Sequence, residues 1–162
     1  IGICIPGLCR HYYDNHFWPD KIETCENENI LSWLENHLCM IPMEARRPGC
    51  SVVEGMDITK EKVVALTKAA DDCWNAILNT DLESFAKSYK ASFNAQVAMF
   101  PAMIQGCVQE YIDKYSVIED VLAWKMPGAG GGGYLACVVK NANEFCEKNN
   151  ESIKLKIRRS GF

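Results

Sequence analysis

The run Met126 Pro127 Gly128 Ala129 Gly130 Gly131 Gly132 Gly133 lies between two apolar, β-prone segments, Val121 to Trp124 and Tyr134 to Val139. Five of the six residues from 128 to 133 are glycine. Positive φ therefore carries no steric cost there, and another group can approach the backbone amides closely. Successive N–H groups in such a turn form an anion-binding nest. A flexible linker is the alternative reading of a glycine run. The flanking segments argue against it, because they are short and poor in serine and other polar residues. The loop reads as a phosphate-facing or close-packing element between two strands.

The wider composition narrows the class. A chain of 162 residues with 48% hydrophobic content can form one domain and bury roughly 70% of its unfolded surface. A net charge of −4, with Lys and Glu alternating, offers no basic stripe, so no nucleic acid is expected as partner. No apolar run approaches the ~20 residues of a membrane helix and no signal peptide opens the chain, so a soluble, cytoplasmic protein without a membrane partner is expected. The nine cysteines form no Cys-x-x-Cys pair, and most stand where a small apolar residue would serve. They read as reduced structural thiols, with no metal site expected. Ile1 is not an initiator residue and Gly2 to Ile5 reads as a strand, so the chain is expected to begin inside a longer polypeptide.

Arg10 to Pro19 predicts a hairpin, with Tyr12 and Tyr13 before an Asp14-Asn15 turn and Phe17 and Trp18 after it. His11 and His16 flank that turn and are placed to pair across it. Ile30, Leu31, Leu34 and Leu38 follow helical spacing, and a strand runs from Leu38 to Met43. The turn Arg46 Arg47 Pro48 Gly49 closes that strand, and its arginines are either solvated charges or a clamp for an anionic substrate. Three helices follow. Thr59 caps the first, whose stripe is Val63, Leu66, Ala70, Cys73 and Ile77. Thr80 with Glu83 makes a capping box for the second, lined by Leu82, Phe85, Tyr89, Phe93 and Val97. Pro101 opens the third, lined by Ile104, Cys107, Val108, Tyr111 and Tyr115. The chain then gives a strand Val121 to Trp124, the glycine loop, a strand Leu135 to Val139, a helix from about Asn141 to Lys148, and a strand Ile153 to Ile157. This order predicts an α+β fold, the ferredoxin-like split βαβ sandwich with extra helices in its first crossover.

The segment Lys125 to Gly133 resembles the third conserved motif of the GHMP kinases, the superfamily of galactokinase, homoserine kinase, mevalonate kinase and phosphomevalonate kinase. That motif reads Lys, Leu or Met, Ser or Thr, Gly, Ala or Ser, Gly, any residue, Gly, Gly, and lies in a ferredoxin-like C-terminal domain. The helices from Thr59 to Tyr115 are similar to the helical crossover of that domain. Pro127 departs from the pattern, where the family has Ser or Thr, so a hydroxyl contact there is lost while the backbone role remains. The resemblance implies an ATP-dependent phosphotransferase that uses Mg²⁺, in which Gly128, Ala129, Gly130, Gly131, Gly132 and Gly133 support the phosphate-binding loop of another domain and border the acceptor pocket.

The phosphate loop expected from the family's N-terminal domain, Pro-x-x-x-Gly-Leu-x-Ser-Ser, is not in this chain. Pro6 Gly7 Leu8 is its nearest echo and lacks both serines. No Asp can be assigned as catalytic base by motif. The reading is of one domain over residues 1–162. Residues 1–37 form a peripheral hairpin and helix leading from a missing N-terminal ATP-binding domain, and 38–162 form the ferredoxin-like core. Its partners would be that N-terminal domain and a small-molecule substrate, and the chain alone would be inactive. Arg46, Arg47, Tyr12 and Trp18 are the candidate substrate-binding residues. Their aromatic faces and hydrogen-bonding groups suit a sugar or sugar phosphate, by analogy with bacterial sugar kinases of the superfamily. Because the loop would press against a partner domain or the acceptor, a side chain at Gly130 or Gly131 is expected to lower activity with the fold retained. Two alternatives stand beside the kinase. One is a non-catalytic, ferredoxin-like module that binds a small regulatory molecule. The other is an RNA-binding domain of the same topology, whose aromatic pattern is missing from Leu135 to Lys140.

Overall fold

The computed structural model describes residues 5–46, 48–49 and 51–161. Most of the strand read at Gly2 to Ile5, together with Cys4, Arg47 and Cys50, lies outside them. In chain order the elements are β1 (Leu8–Tyr12), β2 (Lys21–Cys25), α1 (Glu28–Glu35), β3 (Leu38–Pro42), α2 (Lys60–Leu78), α3 (Leu82–Met99), a 3₁₀ turn (Pro101–Ile104), α4 (Val108–Ser116), β4 (Val121–Lys125), β5 (Tyr134–Val139), α5 (Ala142–Lys148) and β6 (Ile153–Lys154). The last four strands form one sheet in the order β4-β5-β3-β6, with every pairing antiparallel. Two strands joined in sequence by α5 thus flank β3, which is the split βαβ order expected.

Period-2 alternation on the central strand explains why helices cover both faces of the sheet. Leu135, Cys137 and Val139 of β5 pack with Val108, Ile112 and Tyr115 of α4 and with Phe145 of α5. Val138, with Ala123 of β4, points the other way and meets Leu34 of α1, Ala76 of α2 and Phe85 of α3. A central strand buried on both sides reads as a continuous apolar run, and residues 135–139 are all buried.

Several local expectations are corrected. The β1–β2 hairpin pairs Tyr12 with Lys21, so residues 13–20 form a long exposed connection in place of a two-residue turn. His11 and His16 do not pair: the His11 Nδ1 lies 3.4 Å from the Tyr13 hydroxyl and His16 Nδ1 lies 2.6 Å from Asp20. On α2 the buried side chains are Ala69 and Ala76, and Ala70 and Val63 face solvent. Asp81 caps α3, its carboxylate accepting from the Ser84 amide at 3.0 Å, while Thr80 takes a left-handed φ of 51°. A proline disfavours helix at the residue before it, so α3 stops at Met99. The helix expected from Pro101 is divided, because Gly106 at φ 69° separates the 3₁₀ turn from α4. Strand β6 ends at Lys154, three residues early, because the Ile157 amide turns away to the Glu35 carboxylate at 2.6 Å.

Candidate functional site

The glycine loop joins β4 to β5 across the Lys125–Tyr134 end of the sheet, and its two halves differ. The second half is packed into the chain. Gly131 donates to the Met103 carbonyl at 2.8 Å and Gly133 to the Glu44 carbonyl at 2.8 Å, while the Gly133 carbonyl accepts from Met43 at 2.8 Å. A Cβ on Gly130 would stand 2.6 Å from the Met103 oxygen and 2.7 Å from its Cα, and one on Gly132 would stand 2.6 Å from the Glu44 oxygen. Positive φ at 130, 131, 132 and 133 gives the loop the shape that these contacts need. The free-linker reading is thereby removed.

The first half is open. Pro127, Gly128 and Ala129 are exposed, nothing lies within 4 Å of an added Cβ at Gly128, and the Gly128 and Ala129 amides donate no hydrogen bond among the described residues. The nest expected over the whole run is thus narrowed, since the Gly131 and Gly133 amides already have protein acceptors. The expectation that a side chain at Gly130 would press on a partner domain or the acceptor is revised: the space it would enter is filled by Met103 of this same chain, so such a substitution also bears on stability.

The candidate side chains are distributed unevenly around the loop. Arg46 is brought to it, with Nε donating to the Gly130 carbonyl at 3.0 Å. Arg47 lies outside the described residues. Tyr12 stays within its hairpin. Its hydroxyl donates to Glu23 at 2.7 Å, and Arg10 and Lys21 stand over its ring at 4.5 and 5.2 Å. Trp18 sits on the exposed connection, edge-on to Phe17 at 5.3 Å between centroids. The hairpin packs through Leu8 beside Leu38 and Val138, the end of the sheet away from the loop.

Sequence reasoning placed Lys125 in the motif but passed over Ser88, Ser92 and Gln96 on α3 beside it. Lys125 opens the motif, and its ammonium, with its pKa lowered by burial, donates to Ser92 Oγ at 2.6 Å. Ser92 and Ser88 are buried polar residues four apart on α3, and that helical spacing within an apolar stripe was the available signal. Gln96 is next on the same face, and its Oε1 is buried without a hydrogen bond. It borders a cavity of about 240 Å³ with Val52, Val53, Phe100, Met103 and the open residues Gly128 and Ala129. Burial disfavours the thiolate at three thiols: Cys39 is pushed up to about 12, and Cys73 and Cys137 are raised for the same reason.

Comparison with protein-family models and with curated protein sequences gives no match. Solved structures do match. A D-glycero-D-manno-heptose 1-phosphate kinase from Bacteroides thetaiotaomicron superposes with a TM-score of 0.55 at 14% identity, over 90% of this chain and 42% of that one. Mevalonate diphosphate decarboxylase from Staphylococcus aureus gives 0.61 at 15% identity, over 96% and 53%. A sugar kinase from Campylobacter jejuni gives 0.52 at 16%, over 85% and 43%. The chain therefore spans about half the length of the structures it matches. These are GHMP proteins, and the α+β fold, an antiparallel sheet with helices, matches their C-terminal domain. At such identities the likeness carries the fold alone.

Proposed function

We propose that this chain is the C-terminal half of a cytoplasmic, ATP-dependent phosphotransferase acting on a hydroxyl-bearing small molecule, a sugar or sugar phosphate. The observation that carries the reading is the glycine loop. Its spacing from Lys125 to Gly133 resembles the third GHMP motif, in a chain with that fold, and its Gly128 and Ala129 amides are open. Phosphoryl transfer asks little covalent chemistry of a protein; it asks for fixed donors around developing charge and an acceptor held in line. The two open amides, with the exposed Arg46 held by Gly130, are suited to phosphate oxygens at the rim of the loop. The packing of Gly130 to Gly133 on Met103 and Glu44 keeps those donors in position. ATP and Mg²⁺, held by the half of the enzyme outside this chain, supply the phosphoryl group and neutralise its charge.

A decarboxylase stands among the structural neighbours, so the test addresses reaction class first. The full-length protein is incubated with Mg·ATP and a panel of aldoses, aldose phosphates, homoserine and mevalonate. The expected outcome is ADP release with a phosphorylated sugar, and no turnover by this chain alone. Absence of ADP with every acceptor, or release of CO₂, overturns the reading. Micromolar affinity of this chain alone for Mg·ATP in calorimetry overturns the division between halves.

A further inference from the structure

The end of the sheet away from the glycine loop carries a groove that phosphoryl transfer does not use. It lies between the first half of α3 and the start of β4, with a volume of about 550 Å³, within the ~300–1,000 Å³ of small-ligand sites. Its floor is apolar: Leu82 and Ala86, one helical turn apart on α3, with Leu122 of β4. The pairing of β4 with β5 steps from Val121–Val139 to Ala123–Val138, so Leu122 is an extra residue in its strand. Such a bulge re-aims a side chain, and bulges gather beside sites. The rim is basic, with Lys87, Lys90 and Lys140 against the carboxylate of Glu83. Lys140 is taken by Glu119 at 2.7 Å. Lys90 rests over the Trp124 ring at 4.2 Å, and neither it nor Lys87 has a carboxylate within ion-pair distance among the described residues. In a chain of net charge −4, these unneutralised ammonium groups above an apolar floor are complementary to an anion with an apolar body.

We infer that this groove binds a small amphiphilic anion, a free carboxylate on an aliphatic chain. The aliphatic chain lies on Leu82, Ala86 and Leu122, where burial of its methylenes drives binding. Lys87 and Lys90 are three apart on α3, so their side chains are neighbours on one helix face, and both donate charge-assisted hydrogen bonds to the carboxylate. The lysines select a charged head and the floor selects an apolar body. Both lysines are exposed, so salt weakens the head contact and spares the apolar one. The groove stands apart from the glycine loop and does not rest on the kinase reading.

The probes are octanoate, which has charge and chain, octanol, which has the chain alone, and acetate, which has the charge alone. Each is titrated into the ¹⁵N-labelled chain at low salt, below the concentration at which octanoate aggregates, and followed by amide shifts. Octanoate is expected to shift the amides of Ala86, Lys87, Lys90 and Leu122 saturably, and octanol to bind about tenfold more weakly, the scale of one charge-assisted contact. Acetate is expected to leave these amides without a saturable shift. Raising the salt to about 0.3 M should shrink the preference for octanoate over octanol, because the lysines are screened. In the double variant Lys87→Gln, Lys90→Gln that preference is expected to vanish while octanol binding and the melting temperature stay near those of the parent. In Leu122→Ser both ligands should weaken together. No saturable shift with octanoate, equal binding of octanoate and octanol at low salt, or a preference retained in the double lysine variant overturns the inference. So do groove shifts that follow the concentration of the protein itself, which would make a second copy the occupant. The ligands compared on the unmodified chain decide it even if a variant misfolds.

Discussion

Gly130 shows how one position can serve both fold and site. It has φ 84°, and an added Cβ would meet backbone atoms of Met103 at 2.6–2.7 Å, which cannot swing aside as a side chain tip could. Left-handed strain and overpacking each cost about 1–3 kcal/mol, so Gly130→Ala should destabilise the chain by ~2–4 kcal/mol, a fall of roughly 5–15 °C in melting temperature. Gly128, with open space around it and no positive φ, should accept Ala within about 0.5 kcal/mol. Thermal melts of the two variants check the contrast, and a Gly130→Ala chain that melts like the parent would show that the loop is not packed as described. Kinetic effects in a full-length enzyme are therefore cleaner at Gly128 than at Gly130, since activity lost at Gly130 is mixed with stability lost. The need for glycine at these positions was legible in the sequence. The identity of the atoms that require it was not, because Met103 and Glu44 reach the loop from distant parts of the chain.

The helix and strand patterns were legible where a local signal had no competitor. Thr59 precedes a clear apolar stripe and caps α2 as read. Thr80 and Asp81 are adjacent residues that can both cap, and the sequence offers no rule for choosing between them. The structure chooses Asp81, whose carboxyl is held below its ordinary value by the Ser84 amide, and leaves Thr80 in a conformation that a β-branched residue adopts at a cost. Asp81→Ala is expected to destabilise by about 1 kcal/mol, and Thr80→Gly to be neutral or stabilising by a few tenths up to ~1 kcal/mol. Urea unfolding curves of both variants check this, and a larger loss at Thr80 than at Asp81 would return the cap to Thr80. The third helix was read as one because its apolar spacing continues through Ile104, Cys107 and Val108. Gly106 breaks it all the same, and the break leaves the Met103 carbonyl free to accept from Gly131.

At the scale of the whole molecule, the C-terminal tail fastens the N-terminal elements to the core, and it does so with charge. Gly7 donates to the Arg158 carbonyl at 2.8 Å, Ser160 bonds Glu26, and Arg159 bridges Glu28 and the buried Glu35. The strand read to Ile157 ended early for this reason: these contacts join segments more than a hundred residues apart, and no local pattern announces them. The sheet order was legible because the order of elements in sequence allows few topologies; the clamp depends on three-dimensional neighbours alone. Its consequence is a dependence on acid. Hydrogen bonds from Arg159, and then from Ser32, hold the Glu28 carboxyl down to about 2, against an ordinary 4.5. A carboxyl with a depressed folded value binds fewer protons folded than unfolded, so its contribution is fully present above the unfolded value and is lost as the pH falls from 4.5 toward 2. Arg159 donates to Glu35 as well, and it and the Ile157 amide bring that carboxyl below its ordinary value against the opposing effect of burial. Melting temperature followed from pH 6 to pH 2 should therefore decline most steeply below about 4.5, and Glu28→Gln should flatten part of that decline while changing little at pH 2. Arg159→Met should destabilise more than Glu28→Gln at neutral pH, because it takes from the buried Glu35 its hydrogen-bonded cation and leaves only Lys156, 4.0 Å away. If the pH profiles of Glu28→Gln and the parent run parallel throughout, the tail is not clamped through Glu28.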